Sequence, residues 1–531
     1  MISFTELNQR APYFLPIVSA LALVLTLPPF NLWPIVFVAL IPLYIFIFTE
    51  ERFSHVFFGG IFFGLIFSSY LSLTTLSGFT WIPEAHLFST IVKFLSIPIA
   101  LVMSVTTALI WIYALSLRKY TNNALERSIL FGTFSLVEWV LSHILFGFNY
   151  GSLAYASGHF EVIRLVGGFG GVFLITFLTV FINATLAEVL LYTTTKKGRL
   201  IRSLVPLIIM CVVFGGLSFY KHISESRLVK DASSLSIAVI QNDAREESDT
   251  FGVVKDGHFT FPLLEEQLHQ AVATQPDVII YPFSPWVGVL SNTINNDRFN
   301  KEVIAIDFET FGTWLHEYMP EETVLVTWDT HLEDDQFWNT LDYWKNGALV
   351  DSYKKRRLFP FLDYTPLWSQ NIGLYTTPYD AGVGGNQPPI HINEIAIGQL
   401  ICSEVIGPQT AKENSDASDV IFSVGSEAMF ESSVASEVNL LNAQLRAVET
   451  GRPVIRANKF GPSAIIDRYG NIVQKLEFNE TGVLSGEVVI ANKQTDTLYK
   501  QISEYPFMIL LILYTLSLRL RKRSEVEFSR L

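Results

Sequence analysis

The sequence is short of cysteine and of charge. Only 2 of its 531 residues are cysteine, and Asp, Glu, Lys and Arg together make up 16%. Soluble globular chains are usually about 25% charged, so a wholly soluble enzyme is not expected. Two cysteines exclude a disulfide-stapled secreted scaffold. Basic residues are outnumbered 37 to 50, and the net charge of −13 makes nucleic acid an unsuitable partner. No GxGxxG, P-loop or HExxH string occurs, and the ten histidines fall in no metal-ligand spacing. These strings therefore point to no metal site. The run 331–335, HLEDD, reads as an exposed acidic loop rather than a cation site.

What the chain does have is apolar surface: 50% of residues are hydrophobic and 14% aromatic, with a mean hydropathy of +0.35. That excludes disorder and points to a membrane protein. Residues 1–220 hold 11 basic and 8 acidic residues, whereas 221–502 hold 21 and 39, a net of −18. A membrane domain over 1–220, an acidic extramembrane domain over 221–502 and a closing apolar segment with a basic tail over 503–531 follow from that contrast. Apolar stretches near the 20 residues needed to cross a bilayer lie at 11–27, 32–48, 55–76, 87–115, 128–148, 167–192, 201–220 and 505–520, about eight spans. Lys and Arg collect in alternate loops, at 10, 52, 118–127 and 196–202, and in the tail at 519–530. By the positive-inside rule both termini are expected in the cytoplasm and the large domain outside it. The first span reads as an uncleaved anchor, with only Arg10 before it and no small-residue cleavage site. Glu138 and Glu188 fall inside spans, where a carboxylate must face the bundle interior or water.

In the extramembrane domain, apolar runs at 235–241, 277–282, 323–329, 394–402, 419–425, 452–458, 463–470 and 472–478 read as strands. Helix-period stretches occur at 258–274 and 434–449. Apolar strands covered by helices make an α/β layered domain. Cys211 lies in a span and Cys402 ends an apolar strand, so they are not expected to pair. A lone thiol beyond the membrane is either a small buried hydrophobe or a nucleophile, and Cys402 opens a probable helix start, where a thiolate is favoured.

Several strings resemble one family. The segment SYKKRRLFPFLDYTPLW is similar to a lysine motif, IGQLICSEVIG to a nucleophile motif, and LRAVETGRPVIRANKFGPSAIID to the segment after it. LPPFNLWPIVFVALIPL, VEWVLSHILFGFNYGSLAYA and LVGGFGGVFLITFLTVFINA are similar to membrane spans of the same family. Together they resemble the apolipoprotein N-acyltransferases, whose outer domain is of the nitrilase, or carbon–nitrogen hydrolase, superfamily. The resemblance implies a membrane helical bundle carrying an extracytoplasmic αββα sandwich, in a bacterial cytoplasmic (inner) membrane. It implies Cys402 as acyl-accepting thiol, Lys355 as the catalytic cation, and Glu404 and Asp363 in support. The family's general base, a glutamate in a Trp-Pro-Glu string, is replaced here: the string reads Tyr281-Pro282-Phe283. Ser403 stands for a tyrosine, Leu362-Asp363 for Gly-Glu, and Ser426-Glu427-Ala428-Met429-Phe430 for Asn-Asp-Ala-Trp-Phe.

The chemistry so implied is acyl transfer in two steps, without metal or organic cofactor: a phospholipid ester acylates Cys402, and the α-amine of a diacylated apolipoprotein then takes the chain. Losing a general base is worth about 10²–10⁴ in rate, and an aromatic beside the thiol disfavours the thiolate. Two other readings therefore stand beside the first: a catalytically impaired homologue that binds lipid or lipoprotein, and an amide hydrolase. Aromatic loops at 282–290, 359–368 and 427–430 suit a lid that skims the membrane surface.

Overall fold

The computed structural model describes residues 10–76, 86–144, 152–193, 200–228, 232–242, 253–255, 258–260, 262–282, 308–360, 362–367, 380–427, 433–491 and 496–528. Phe283 and most of 282–290 and 427–430 lie outside these. The chain forms two compact units, one of Met1–Ser77, Val92–Arg227 and Asp496–Leu531, the other of Gly78–Ile91 and Leu228–Thr495.

The first unit is helical: α1 Phe14–Val24, α2 Ile41–Thr49, α3 Phe53–Leu76, α4 His86–Leu117, α5 Ala124–Gly132, α6 Ser135–Ile144, α7 Gly167–Thr193 and α8 Leu200–Leu228, with Tyr505–Phe528 near the end of the chain. Among the described residues, four segments are long and apolar enough to cross a bilayer: Phe53–Leu71, Ala100–Tyr120, Gly167–Leu191 and Val205–Glu225. Phe14–Val24 and Trp33–Thr49 are shorter apolar helices. The stretch expected as one span over 128–148 is instead two helices. Asn123 caps α5 by accepting the Glu126 N–H at 2.9 Å, and Thr133 folds back on the Leu130 carbonyl at 2.6 Å, ending the helix before α6 begins. Inside α7, Gly170 and Gly171 leave helical geometry, Gly171 at φ 67°. A Cβ there would stand 2.5 Å from the Tyr499 ring, so only glycine fits the bend.

Both intramembrane carboxylates are satisfied. Glu188 takes two bonds from the Arg127 guanidinium, at 2.6 and 2.7 Å, and one from the Tyr44 hydroxyl. Glu138 accepts from the Ser152 hydroxyl, the Leu153 N–H and the Thr176 hydroxyl, at 2.7–2.8 Å. Glu188 is thus paired with a cation and Glu138 is hydrogen-bonded by neutral donors, where a carboxylate with no partner would be penalised heavily by hydrocarbon.

The second unit is a two-sheet sandwich. Its strands are β1 Ala232–Gln241, β2 Val278–Tyr281, β3 Val324–Glu333, β4 Gln336–Lys345, β5 Ala348–Lys354, β6 Ile390–Ile392, β7 Ile395–Ile401, β8 Val420–Ser426, β9 Val454–Lys459, β10 Ser463–Ile466, β11 Ile472–Leu476 and β12 Gly482–Ala491. One six-stranded sheet runs β12-β1-β2-β3-β4-β5 and the other β11-β10-β9-β8-β7-β6. Strands β1, β2 and β3 are mutually parallel, as are β7, β8 and β9; the flanking strands pair antiparallel. Strand alternation sorts the residues. Leu235, Ile237 and Val239 meet Ile397, Ile401, Phe422 and Ile455 between the sheets. Ala238, Ile240 and Ile279 face the other way, onto α9 Pro262–Val272 and α10 Phe308–Tyr318. Helix α11 Ser433–Thr450 lies over β9 and β10, which completes an α–β–β–α stack.

Three expectations are corrected here. The stretch 258–274 is not one helix, because His258–Thr260 pairs with Val253–Lys255 as a hairpin and α9 starts at Pro262. Strands β4, β5, β6 and β12 have no counterpart among the runs read as strands. The HLEDD run is not a loop: His331 and Glu333 belong to β3, and only Asp334 and Asp335, at φ 48° and 64°, make the two-residue turn to β4. His331 is buried with its Nε2 2.5 Å from Asp342 Oδ2.

Candidate active site

Three strand ends build the site. Strand β7 is wholly apolar and buried to its last residue, Ile401, after which the chain turns sharply into a five-residue 3₁₀ helix, Cys402–Ile406. Cys402 makes that turn at φ 52°, in the left-handed region that side chains avoid. Such an outlier at a strand end holds the thiol in one orientation. In the facing sheet, β5 places Tyr353 inward, and Lys355, two residues on, continues the same face just past its end. Strand β8, parallel to β7 with Val424 opposite Ile401, brings Gly425 beside Cys402 and Glu427 just beyond. A Cβ on Gly425 would sit 3.4 Å from Cys402 Cα. Sites at the carboxyl ends of parallel strands are the general rule for open α/β sheets.

Lys355 is buried, and its Nζ donates to Asp363 Oδ2 at 2.6 Å. Burial works against the ammonium, but Asp363, Cys402 and Glu404 together hold its pKa above the ordinary lysine value. Asp363 is fully engaged: Oδ1 accepts from Asn339 at 2.6 Å, and Oδ2 also takes the Phe359 N–H at 2.6 Å. Glu404 is engaged as well. Its Oε1 accepts the N–H groups of Arg356 and Arg357 at 2.8 and 2.9 Å, Oε2 accepts Ile401 N–H at 2.8 Å, and the Tyr353 hydroxyl lies 3.1 Å from both oxygens. Burial pushes the Glu404 carboxyl up, against those donors. Glu404 thus ties the lysine segment to the cysteine turn.

Cys402 keeps part of its surface accessible. Burial, countered by Lys355 and then reinforced by Asp363 and Glu427, pushes its thiol from 9.0 up to about 11. The Ser403 N–H favours the thiolate, in the way of an oxyanion donor. The neutral thiol is therefore the resting form, and attack requires that its proton be removed.

Cys402, Lys355, Asp363 and Glu404 come together; Phe283 lies outside the described residues. Lys354 and Arg356 point elsewhere, Lys354 to Glu333 at 2.5 Å and over the Trp338 ring, Arg356 to Asn414 and Glu413. Residues that sequence reasoning did not single out complete the site. Asn339 holds Asp363, Tyr353 holds Glu404, and Arg446 donates to the Ile406 carbonyl at 3.1 Å. Their one sequence signal is a polar side chain at an inward position of an apolar element. Among the described residues, no group of three or more His, Cys, Asp or Glu could hold a metal ion.

Two family models match the chain. The apolipoprotein N-acyltransferase N-terminal domain matches residues 19–185, and carbon-nitrogen hydrolase matches 261–495. Among curated proteins, the apolipoprotein N-acyltransferase of Caulobacter vibrioides is 24% identical over 97% of this chain and 96% of that protein. That of Pasteurella multocida is 25% identical over 94% of each. That of Azotobacter vinelandii is 33% identical over 34% of this chain and 36% of its own length. With the two models matched in order and relatives of one name matched along nearly the whole length, the chain is similar from end to end to the apolipoprotein N-acyltransferases.

Proposed function

We propose that this protein N-acylates lipoproteins at the bacterial inner membrane, taking the acyl chain from a phospholipid and carrying it as a thioester on Cys402. The observation behind this reading is the burial of the Lys355 ammonium, clamped by Asp363, in the field of the Cys402 thiol. As Cys402 Sγ attacks the ester carbonyl, negative charge develops on its oxygen. A fixed cation and the Ser403 N–H oppose that charge in a water-poor site, where such interactions count most. The lysophospholipid leaves, and the α-amine of a diacylglyceryl-cysteine attacks the thioester, releasing the thiol. Glu404 and Asp363 act as positioning residues, holding the lysine segment against the cysteine turn. The alternative of a non-catalytic binding protein is not favoured, because relatives named as acyltransferases match along nearly the full chain.

In this reading residues 1–220 and 503–531 are the membrane domain and 221–502 the extracytoplasmic domain, with both termini cytoplasmic, as the distribution of Lys and Arg supports. Intact-mass spectrometry of the purified full chain after exposure to phospholipid tests the first half-reaction. Wild type is expected to gain the mass of one acyl chain and Cys402→Ala to gain none. Absence of the adduct from wild type, under conditions where a control family member forms one, would sink the proposal.

A further inference from the structure

A thiol that rests neutral needs a proton acceptor, and three carboxylates lie near the Lys355–Cys402 pair: Asp363, Glu404 and Glu427. Both oxygens of Asp363 are taken by Lys355, Asn339 and the Phe359 N–H, and both of Glu404 by backbone N–H groups and Tyr353. Phe283 carries no group that accepts a proton. Glu427 differs. It is buried at the end of β8, and its Oε1 alone accepts three bonds, from Arg456 at 2.6 Å, Asn458 at 2.9 Å and Asn439 at 3.0 Å. Among the described residues no hydrogen bond falls on its Oε2.

Two of these partners carry amide oxygens that find no donor among the described residues. Asn458 turns its Nδ2 to Glu427, so its Oδ1 lies 3.6 Å from where a Gly425 Cβ would be, on the flank that touches Cys402. That buried Oδ1, and Asn439 Oδ1 likewise, receive no hydrogen bond among the described residues. A carboxylate oxygen and two amide oxygens without donors among the described residues are acceptors that suit a group rich in N–H, such as an amine.

We propose that Glu427 is the proton acceptor of both half-reactions and that Glu427, Asn439 and Asn458 receive the incoming α-amine. This rests on the acyl-transfer reading above. In the first half-reaction the thiol proton passes to Glu427 Oε2 as the S–C bond forms. The ester C–O bond breaks, and the leaving alkoxide takes that proton back. In the second half-reaction the neutral amine forms the N–C bond and gives one proton to Glu427. The C–S bond breaks, and the proton returns to the sulfur. Arg456, paired with Glu427 Oε1 at 2.6 Å, holds the carboxylate in place through both steps.

The test uses full-length protein in detergent, in a Cys211→Ser background, with mixed micelles of phosphatidylethanolamine and phosphatidylglycerol. Two rates are followed by mass spectrometry: acyl-adduct formation, and iodoacetamide alkylation of Cys402 at neutral pH. Glu427→Gln is expected to slow acylation at least about 100-fold while alkylation stays equal or rises several-fold, because a nearby negative charge on the thiol's surroundings is gone. Glu427→Asp should acylate within about tenfold of wild type. Acylation by Glu427→Gln at the wild-type rate overturns the inference alone. So does a parallel fall of both rates in Glu427→Gln together with a loss of about 100-fold in Glu427→Asp, which marks a structural role. No adduct on wild type removes the acyl-transfer reading and this inference with it.

Discussion

At the scale of single residues, the proposed chemistry rests on how Lys355 and Cys402 share charge. The ammonium stays charged in a buried place because Asp363 is 2.6 Å away, and it in turn lowers the cost of a thiolate that burial otherwise disfavours. With the thiol at about 11, its alkylation by iodoacetamide in a Cys211→Ser background should climb about tenfold per pH unit through neutrality. The climb should level off only as pH approaches 11. Lys355→Met should move the profile further up and slow acyl-adduct formation about 10²–10³-fold. A plateau already reached by pH 8 would contradict this electrostatic account. The lysine and cysteine were legible in the sequence because each sits in a local string. Glu404 was legible as a residue, but the three backbone N–H groups that occupy it became visible only once the strands were assembled.

At the scale of elements, the β3–β4 hairpin shows both why strands were missed and what they hide. β4 reads QFWNTLDYWK, with Asn339, Thr340 and Asp342 all buried, so its polar residues mask the apolar alternation that marks a strand. Asp342 is accommodated by His331 and Ser352 on the neighbouring strands, and Asn339 by Asp363 in the turn beyond β5. Burial would drive His331 neutral, but Asp342, then Asp329 and Glu333, outweigh it and raise its pKa. The charged form is therefore favoured by folding. Its stabilisation is complete below the unfolded histidine value of about 6.5 and fades as pH rises through the raised value. Thermal melts of the full chain, followed by tryptophan fluorescence, should show His331→Gln destabilised more at pH 6 than at pH 9. An equal deficit at both pH values would show that the imidazolium contributes nothing. The span expected over 128–148 failed for a related reason: hydropathy carries no record of the Thr133 back-bond that ends α5.

At the scale of the whole molecule, composition already divides the chain into an apolar part poor in charge and an acidic part. The topology proposed from Lys and Arg placement has a direct test. A cysteine at exposed Asn346, in a Cys211→Ser background, should react with a membrane-impermeant maleimide in intact spheroplasts. A reporter fused after the tail should be active only in the cytoplasm, and the protein should resist extraction by alkaline carbonate. Protection of position 346 until the membrane is broken would reverse the orientation.

The sequence by itself determined the class of the molecule: apolar helices, a layered α/β domain and two motifs that carry a thiol and an ammonium. These are properties of short windows, set by side-chain hydropathy, strand and helix period, and local strings. Which carboxylate oxygens lack a donor among the described residues is a matter of tertiary contacts alone. Asp363 and Glu404 look available in the sequence, yet their oxygens are filled by donors from Asn339, Tyr353, Arg356 and Arg357. Glu427, in contrast, draws the three donors found among the described residues onto one oxygen. Hydrogen-bond saturation depends on groups brought together across strands from distant parts of the chain, and no window of sequence contains them.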